Sequence, residues 1–201
     1  TGAEANAYFV RESSTRFRPT LHVGGGWDPS EQHIAPSVGL LAHVIEADFA
    51  ARRSDDLRLS RLSVDILGVM PMTSVDVQVN VLRPGRTIEL VEARLSQAGR
   101  DAVIARAWLT ARYDTAAYEG TAFPALTPHG EMEKWGVHTL WPGGFVKSAQ
   151  VWRKQLAVGR VQFWVRSPLQ VIDGEDTSNL AHYLSVLDVA NVVAARLEPK
   201  E

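Results

Sequence analysis

One carboxylate in an apolar stretch is the residue of this sequence best suited to chemistry. Asp188 lies near the middle of residues 177–197, and Ser185 and Asn191 stand three residues before and after it. Polar positions on a solvent-facing helix stripe would recur near 182, 186, 189 and 193, but the last three are valines. Burial raises the pKa of a carboxyl group, and a carboxylate with a raised pKa is a better base for activating water.

A structural role is the alternative for Asp188. A carboxylate among Leu184, Leu187 and Val192 could instead tie its helix to a neighbouring strand through hydrogen bonds. The position in the helix does not decide between the base and the structural tie.

The stretch around Asp188 is predicted to be a long buried helix. Residues 177–197 would span about 30 Å at ~1.5 Å per residue, and they are apolar on nearly every face. Asp176, Thr177 and Ser178 offer side-chain oxygens to cap its start, and Pro199 ends it.

A second long helix is predicted over residues 34–53, where Val38, Leu41, Ile45 and Phe49 recur at helical spacing. It carries His43 and Glu46. The segments Val44-Ile45-Glu46 and Val186-Leu187-Asp188 match, both helices end in Ala-Ala-Arg, and residues 145–148 resemble residues 9–12. We interpret this order of matches as an internal duplication. Glu46 would then be the counterpart of Asp188, with a structural role favoured and a second site as the alternative.

Four strands are predicted between the two helices, at residues 57–67, 75–83, 87–97 and 102–113. Short turns between them indicate an antiparallel meander, and a phase slip between Leu59 and Leu62 indicates a bulge. Residues 8–20 predict a first edge strand or hairpin. Strands this long are expected to curl round the apolar helix. The Gly24–Trp27 loop is interpreted as a tight surface turn, the alternative being a close backbone approach covered by Trp27.

Other kinds of site find little support. The sequence contains no HExxH, no GxSxG and no complete GxGxxG, so metalloprotease, serine-elbow hydrolase and dinucleotide sites are not predicted. His182 lies six residues before Asp188 and therefore points about 120° away on a helix, which disfavours direct pairing. Arg83, Arg86 and Arg160 could bind phosphates, although solvated surface arginines are the simpler interpretation.

Composition describes an ordinary globular protein. The 201 residues are 45% hydrophobic and 22% charged, with a net charge of −2 and no cysteine. This balance gives no electrostatic case for binding nucleic acid or an anionic membrane, and it excludes disulfides and cysteine-ligated zinc. No apolar run is expected to reach membrane-spanning length and no signal peptide is predicted, so a cytoplasmic location is expected.

The organisation follows from the duplication. We predict a first unit over residues 1–115, a linker over 116–141 and a second unit over 142–201. The first unit has about sixty residues of strands after its helix, whereas four residues follow the second helix. An uncovered apolar helix is unfavourable, at about 25 cal/mol per Å². We therefore expect the chain to be a fragment, or its missing sheet to come from another polypeptide. The first residue is Thr1 rather than Met, so the N-terminus is expected to be processed or incomplete.

The sequence resembles the TesB-like double-hotdog acyl-CoA thioesterases, especially the thioesterase-like proteins of actinobacteria. The residues that carry the resemblance are the Gly24–Trp27 loop and the segments 36–49 (PSVGLLAHVIEADF), 79–95 (VNVLRPGRTIELVEARL), 100–109 (RDAVIARAWL) and 178–191 (SNLAHYLSVLDVAN). The resemblance implies an α+β fold of two tandem hotdog units, each a long central helix wrapped by a curved antiparallel sheet, with the second unit incomplete in this chain.

The same resemblance implies hydrolysis of acyl-CoA to a free fatty acid and CoA, an activity of lipid metabolism. In TesB-like enzymes an Asp of the second helix works with a Thr or Ser and a Gln to position and deprotonate water. That Asp corresponds to Asp188, and the other two positions would lie beyond Glu201. No cofactor and no metal are expected, acyl-CoA is the expected small-molecule partner, and a homo-oligomer is expected from the family.

Two further functions are weighed against the thioesterase. One is a hotdog protein that binds acyl groups or assembles without catalysis. The other is a hotdog hydratase or dehydratase. Such enzymes carry an Asp and a His a few residues apart in a strand-to-helix loop, and no such pair is present in the sequence, so this function ranks last.

Overall fold

The computed structural model describes residues 5–139 and 141–194. Within these residues the chain forms ten strands and four α-helices, joined by loops and short 3-10 turns. In chain order they are β1 Ala7–Arg11, β2 Arg16–Pro19, α1 Ile34–Arg52, β3 Leu57–Ile66, β4 Val75–Arg83, β5 Ile88–Gln97, β6 Arg100–Ala111, β7 Glu133–Trp135, α2 Gly144–Ser148, β8 Gln150–Ala157, β9 Arg160–Arg166, β10 Gln170–Ile172, α3 Asn179–Leu184 and α4 Ala190–Val193.

The first unit is a sheet that curls around α1. Strands β1–β6 of this unit are joined at one edge by β10 of the second unit, in the order β10-β1-β2-β4-β5-β6-β3, and α1 contacts β4, β5 and β10. The helix forms where the sequence predicts it, and its buried Leu40, Leu41 and Ile45 pack against the alternating apolar residues of the strands. β6 presents alternate apolar residues to the core, since Val103, Ala105, Ala107 and Leu109 are all buried.

The strand order corrects the predicted meander. β4, β5 and β6 are consecutive antiparallel neighbours, but β3 pairs with β6 at the edge of the sheet and not with β4. The physical reason is the connection over residues 67–74, which contains Gly68 and Pro71 and is too long for a hairpin turn. The predicted bulge is confirmed, because the register of β3 against β6 shifts between Leu59 and Arg61.

After β6 the chain forms a small sheet of β7, β8 and β9, all antiparallel. β7 lies within residues 116–141, the predicted linker. Phe145–Ser148 were expected to match the strand residues 9–12, but they belong to helix α2 instead, where Phe145 and Val146 are buried. β10 is not part of this small sheet. It pairs in parallel with β1, and these backbone hydrogen bonds join the two units.

The second long helix is broken, which corrects the continuous helix predicted over 177–197. α3 ends at Leu184, Leu187–Val189 form a 3-10 turn, and α4 follows; residues 195–197 lie outside the described residues. Val186 has φ −124° and ψ −2°, outside the helical region. The Ser185 hydroxyl donates to the carbonyl oxygen of His182 at 2.7 Å, a local bond that competes with helix continuation. The start of α3 is capped as expected, because the Ser178 hydroxyl accepts from the Ala181 amide.

Helices α1 and α3 meet where α1 has no side chain. A Cβ placed on Gly39 would lie 2.6 Å from Ser185 Cβ and 2.9 Å from the carbonyl oxygen of Ala181. These distances are shorter than van der Waals contact, so only glycine allows this approach. The contact fixes the end of α3, and with it the start of the turn that carries Asp188.

We expect Gly39→Ala to destabilise the protein by about 1–3 kcal/mol, because the added methyl group forces the two helices apart. Urea unfolding followed by circular dichroism measures the change. Gly68→Ala is the matched control, since a Cβ at Gly68 meets nothing within 4 Å. Equal stabilities for Gly39→Ala and Gly68→Ala would contradict the close helix contact.

The far end of α1 is fixed by a buried carboxylate. Arg52 Nη2 donates to Glu89 Oε1 and Arg53 Nη1 donates to Glu89 Oε2, both at 2.8 Å. The Glu89 side chain, on β5, is 1% exposed, whereas those of Arg52 and Arg53 are 31% and 21% exposed. As basic residues at the end of α1, Arg52 and Arg53 also favour the helix dipole. They neutralise a charge inside the sheet.

Helix α1 also corrects the expectation that no apolar run reaches membrane-spanning length. By length and composition alone its 19 residues are sufficient to cross a membrane. In the structure α1 is the core helix of the first unit, with its buried face against the sheet. A core helix enclosed by a sheet passes the same test as a membrane helix.

Candidate functional site

Asp188 lies on the 3-10 turn between α3 and α4, at the junction of the two units. Its side chain is 33% exposed. The Asn191 side-chain amide donates a hydrogen bond to Oδ1, while Oδ2 faces His33 of the first unit. Burial raises the pKa of Asp188, and the hydrogen bond from Asn191 lowers it in part. The direction of the net shift is the one expected from the apolar sequence around Asp188.

His33 is the group of the first unit that comes close to Asp188. It is the N-cap of α1, and its Nδ1 accepts a hydrogen bond from the Ala35 amide at 3.2 Å. Its ring stacks on Phe145 of α2 with centroids 3.8 Å apart. His33 Nε2 lies 3.6 Å from Asp188 Oδ2. Burial lowers the pKa of His33 to about 4, so the imidazole is neutral at physiological pH.

The two groups border a cavity of about 120 Å³ with aromatic walls. Phe145 and His33 form one wall, and Trp27 and Trp141 contribute two further rings, set edge to face with centroids 6.2 Å apart. Trp27 is 80% exposed and stands at the outside of this cavity. We call this space the aromatic cavity; Asp188 and Asn191 are its polar residues apart from His33.

Asp188 and Asn191 also border a second space of about 350 Å³, between the start of α1, strand β3 and the turn after α3. We call it the aliphatic groove because its other lining residues are all aliphatic. They are Ile34, Ala35, Val38, Leu62, Val64, Ile66, Leu184, Leu187 and Ala190. The carboxylate therefore has an aromatic cavity on one side and an aliphatic groove on the other.

The Gly24–Trp27 loop builds part of the aromatic cavity, which corrects its interpretation as a surface turn. Residues 24–26 are buried, and a Cβ on Gly143 would lie 2.1 Å from the Gly25 carbonyl oxygen. Glycine is therefore required at position 143, where its backbone touches the loop. The alternative, a close backbone approach beside Trp27, is the arrangement found.

The other ionisable residues singled out from the sequence have structural partners. Glu46 accepts a hydrogen bond from the capping Ser178 hydroxyl at 2.6 Å, which links the middle of α1 to the start of α3. His43 Nε2 lies 3.0 Å from Glu175 Oε2. His182 Nε2 donates to the Ser167 carbonyl oxygen at 2.7 Å, and so does not pair with Asp188.

The arginines considered for phosphate binding lie apart from Asp188. Arg83 Nη1 donates to the Ile88 carbonyl oxygen across the β4–β5 turn, and Arg160 begins β9. Neither Arg83, Arg86 nor Arg160 borders the aromatic cavity or the aliphatic groove. Among residues 5–139 and 141–194, no three His, Cys, Asp or Glu side chains gather closely enough to hold a metal ion.

Sequence reasoning missed His33. It precedes Asp188 by 155 positions, so no local spacing connects them. The one signal in the sequence was its place immediately before the first helix residue, Ile34, where a side chain can cap the helix and point away from it. The pairing itself depends on the contact between the two units.

Comparison with known proteins identifies the first unit. Residues 23–110 match the model of the family described as acyl-CoA thioesterase N-terminal domain. This range contains His33, all of α1 and most of the sheet, whereas Asp188 lies outside it. The resemblance inferred from the sequence is thereby confirmed. No curated protein matches the chain.

Solved structures confirm the fold. A candidate thioesterase from Novosphingobium aromaticivorans superposes with a TM-score of 0.64 at 18% identity, over 93% of this chain and 74% of that one. A protein with a hot dog fold from Alicyclobacillus acidocaldarius gives 0.66 at 12% identity, over 92% and 67%. An acyl-CoA thioesterase II from Mycobacterium marinum gives 0.54 at 14% identity, over 93% and 65%. The predicted tandem hotdog architecture is therefore that of this chain, with the second unit covered only in part.

Proposed function

We propose that this chain, whose residues 23–110 match the acyl-CoA thioesterase N-terminal domain family, hydrolyses acyl-CoA to a free fatty acid and CoA, with Asp188 as the base that activates water. The observation that carries this proposal is the position of Asp188 between two apolar spaces at the junction of the units. An acyl-CoA thioester carries an acyl chain on one side of its reacting carbon and the pantetheine of CoA on the other. Asp188 borders a separate space for each of them.

The chemistry of the linings supports an orientation for the substrate. The aliphatic groove offers alkyl side chains from α1, β3 and α3 to an acyl chain, and burial of each methylene group is worth about 0.8 kcal/mol. The thioester group then lies at Asp188, and the sulfur and its pantetheine arm leave past the aromatic cavity. Trp27 stands on that exit route with its indole largely exposed.

The reaction can be written with the residues present. Asp188 Oδ2 takes a proton from water as the water oxygen bonds to the thioester carbon, and the carbonyl electrons move to oxygen. When the tetrahedral intermediate collapses, the C–S bond breaks and the thiolate of CoA receives the proton from Asp188. The products are the fatty acid and CoA. The amide of Asn191 holds Oδ1, which leaves Oδ2 oriented for the proton transfer.

The state of Asp188 suits this task. A base must be deprotonated before the reaction, yet it must hold the proton well enough to accept it. Burial raises the pKa of Asp188 above that of an exposed aspartate, while the hydrogen bond from Asn191 limits the rise. Asp188 is thus more basic than a surface carboxylate.

One structural observation bears on the hydratase alternative. Hotdog hydratases carry a His and an Asp a few residues apart in the sequence. In this structure the His and the Asp that come together, His33 and Asp188, belong to different units. A pair of this kind could also direct water to the double bond of an enoyl thioester. The binding-protein alternative needs neither a base nor a donor at the thioester, and it is not favoured by the presence of both.

The test is a direct assay of the wild-type chain with saturated acyl-CoAs of increasing length. We expect CoA release, detected with a thiol reagent, for at least one chain length. A 2-enoyl-CoA is assayed in parallel by its ultraviolet absorbance. Loss of that absorbance without thiol release would identify a hydratase, and stoichiometric binding without either reaction would identify an acyl-binding protein.

A further inference from the structure

The imidazole of His33 has a defined tautomer. Its Nδ1 accepts the Ala35 amide hydrogen at 3.2 Å, so Nδ1 cannot itself carry a proton. In a neutral imidazole the remaining proton then lies on Nε2. The ring cannot easily turn to exchange the two nitrogens, because it is stacked on Phe145 at 3.8 Å and caps the first turn of α1.

Nε2 is a donor that the described residues leave unused. Asp188 Oδ2 lies 3.6 Å away, which is beyond the ~2.7–3.2 Å of an N–H···O hydrogen bond. None of the described residues supplies an acceptor at hydrogen-bond distance from Nε2. The His33 side chain is 16% exposed, so Nε2 can donate to water or to a bound ligand. His33 and Asp188 both border the aromatic cavity, so an oxygen atom placed there can accept from Nε2–H.

The surroundings also keep His33 from acting as a base. Burial is the cause that lowers its pKa to about 4, and the positive end of the α1 dipole also disfavours an imidazolium at the N-cap. Asp188 is the acidic residue that faces the ring across the cavity. The other wall residues, Phe145, Trp27 and Trp141, carry no charge.

We infer that His33 is a catalytic residue of the proposed thioesterase: its neutral Nε2–H donates a hydrogen bond to the thioester carbonyl oxygen while Asp188 activates the water. This inference rests on the proposed function and adds to it the group that stabilises the oxyanion. Each unit then supplies one catalytic group. The first unit supplies His33, which donates a hydrogen bond to the carbonyl oxygen, and the second unit supplies Asp188, which activates the water. Removal of one such donor typically lowers kcat by about 10²–10³.

The test separates the donor from the helix cap. His33→Asn keeps a side-chain acceptor for the Ala35 amide, because Asn is a favoured N-cap, but has no N–H at the position of Nε2. We expect kcat to fall by about 10²–10³ with KM and thermal unfolding close to the wild type. His33→Gln, whose longer amide can present an N–H near that position, should recover about tenfold over His33→Asn. His22→Asn is the control for a histidine outside the cavity.

Two readouts exclude a purely structural role. The pH profile of kcat/KM should keep its shape in His33→Asn and lose only amplitude, because the base is Asp188. The carbonyl stretch of a bound acyl-CoA should shift to lower frequency in Asp188→Asn protein, and this shift should disappear when His33→Asn is added. If His33→Asn does not fold, His33→Phe, which keeps the ring against Phe145 without an N–H, is measured in its place.

The outcomes distinguish a failure of the role of His33 from a failure of the proposed thioesterase activity. A folded His33→Asn protein with kcat within about threefold of the wild type would overturn the role of His33 and leave the thioesterase intact. A folded wild-type protein that hydrolyses no acyl-CoA would overturn both. Loss of the rising limb of the pH profile in His33→Asn would also overturn the inference, because it would make His33 the base.

Discussion

Asp188→Asn is expected to lower the rate of acyl-CoA hydrolysis by about 10²–10⁴, the usual contribution of a positioned general base. Asparagine has the shape of aspartate and can still accept the hydrogen bond from Asn191, so the turn between α3 and α4 should remain folded. It cannot take a proton from water. The loss should therefore appear in kcat, while the unfolding temperature stays within a few degrees of the wild type.

The measurement is thiol release under saturating substrate, with circular dichroism to confirm folding. Glu46→Gln is the matched control, because Glu46 is the predicted counterpart of Asp188 in the first unit and accepts a hydrogen bond from Ser178, the N-cap of α3. We expect a small effect on rate from this change. A loss in Glu46→Gln as large as in Asp188→Asn would support the second site that the duplication leaves open, whereas full activity in Asp188→Asn would contradict the proposed base.

The pH profile adds an independent check on Asp188. Because burial raises its pKa, the rising limb of kcat/KM in the wild type should lie above the pH at which an exposed aspartate ionises. Activity should fall as the pH drops through this value and Asp188 becomes protonated. The limb should be absent from the residual activity of Asp188→Asn.

Glu89→Gln should produce the largest loss of stability among the changes considered. It leaves Arg52 and Arg53 without their shared buried partner. Breaking a fully buried pair costs about 3–5 kcal/mol. Both arginine side chains can reach water, so we expect about 2–3 kcal/mol, or a fall in Tm of about 5–10 °C. Asp48→Asn, which removes the 28%-exposed second partner of Arg52, should cost less than about 1 kcal/mol.

The effect of Glu89 should depend on pH in a defined direction. Burial alone would raise its pKa, but the hydrogen bonds from Arg52 and Arg53 outweigh burial and hold the pKa below its ordinary value. Its contribution is therefore fully present above the unfolded-state pKa of about 4.3 and is lost as pH falls through the lower folded pKa. Urea unfolding of wild type and Glu89→Gln at several pH values measures this. An unchanged difference down to the lowest pH would contradict it.

A stable Glu89→Gln protein would have a specific meaning. Glutamine can accept one of the two arginine hydrogen bonds with its amide oxygen, so an unfolding free energy close to the wild type would show that charge neutralisation matters little at this site. The Asp48→Asn control separates this result from a general tolerance of lost ion pairs around α1.

Local patterns in the sequence were sufficient for most of the first unit. The apolar spacing of residues 34–53 predicted α1, and the alternation in residues 57–113 predicted the four long strands and the bulge near Ser60. These features depend on the periods of 3.6 and 2 residues that set which side chains face the core. The same patterns could not give the order of the strands, because pairing of β3 with β6 is a long-range choice that no local period records.

The second helix shows how local pattern fails. Residues 177–197 have the composition of a buried helix, yet α3 stops at Leu184. The interruption depends on the contact of Ser185 with Gly39 and on the local hydrogen bond of the Ser185 hydroxyl. Neither is visible in the periodicity. The break turns Asp188 out of a regular helix and leaves its side chain one-third exposed, facing His33.

By itself, the sequence determined the helix–sheet unit, the family resemblance and the choice of Asp188 as the candidate base, because each depends on residue types at short range. The tertiary structure decided which groups surround that base. His33 and Asp188 meet only because β10 joins the sheet of the first unit and α3 packs on α1 at Gly39. A contact between residues 155 positions apart is set by the packing of two units, and no spacing in the sequence records it.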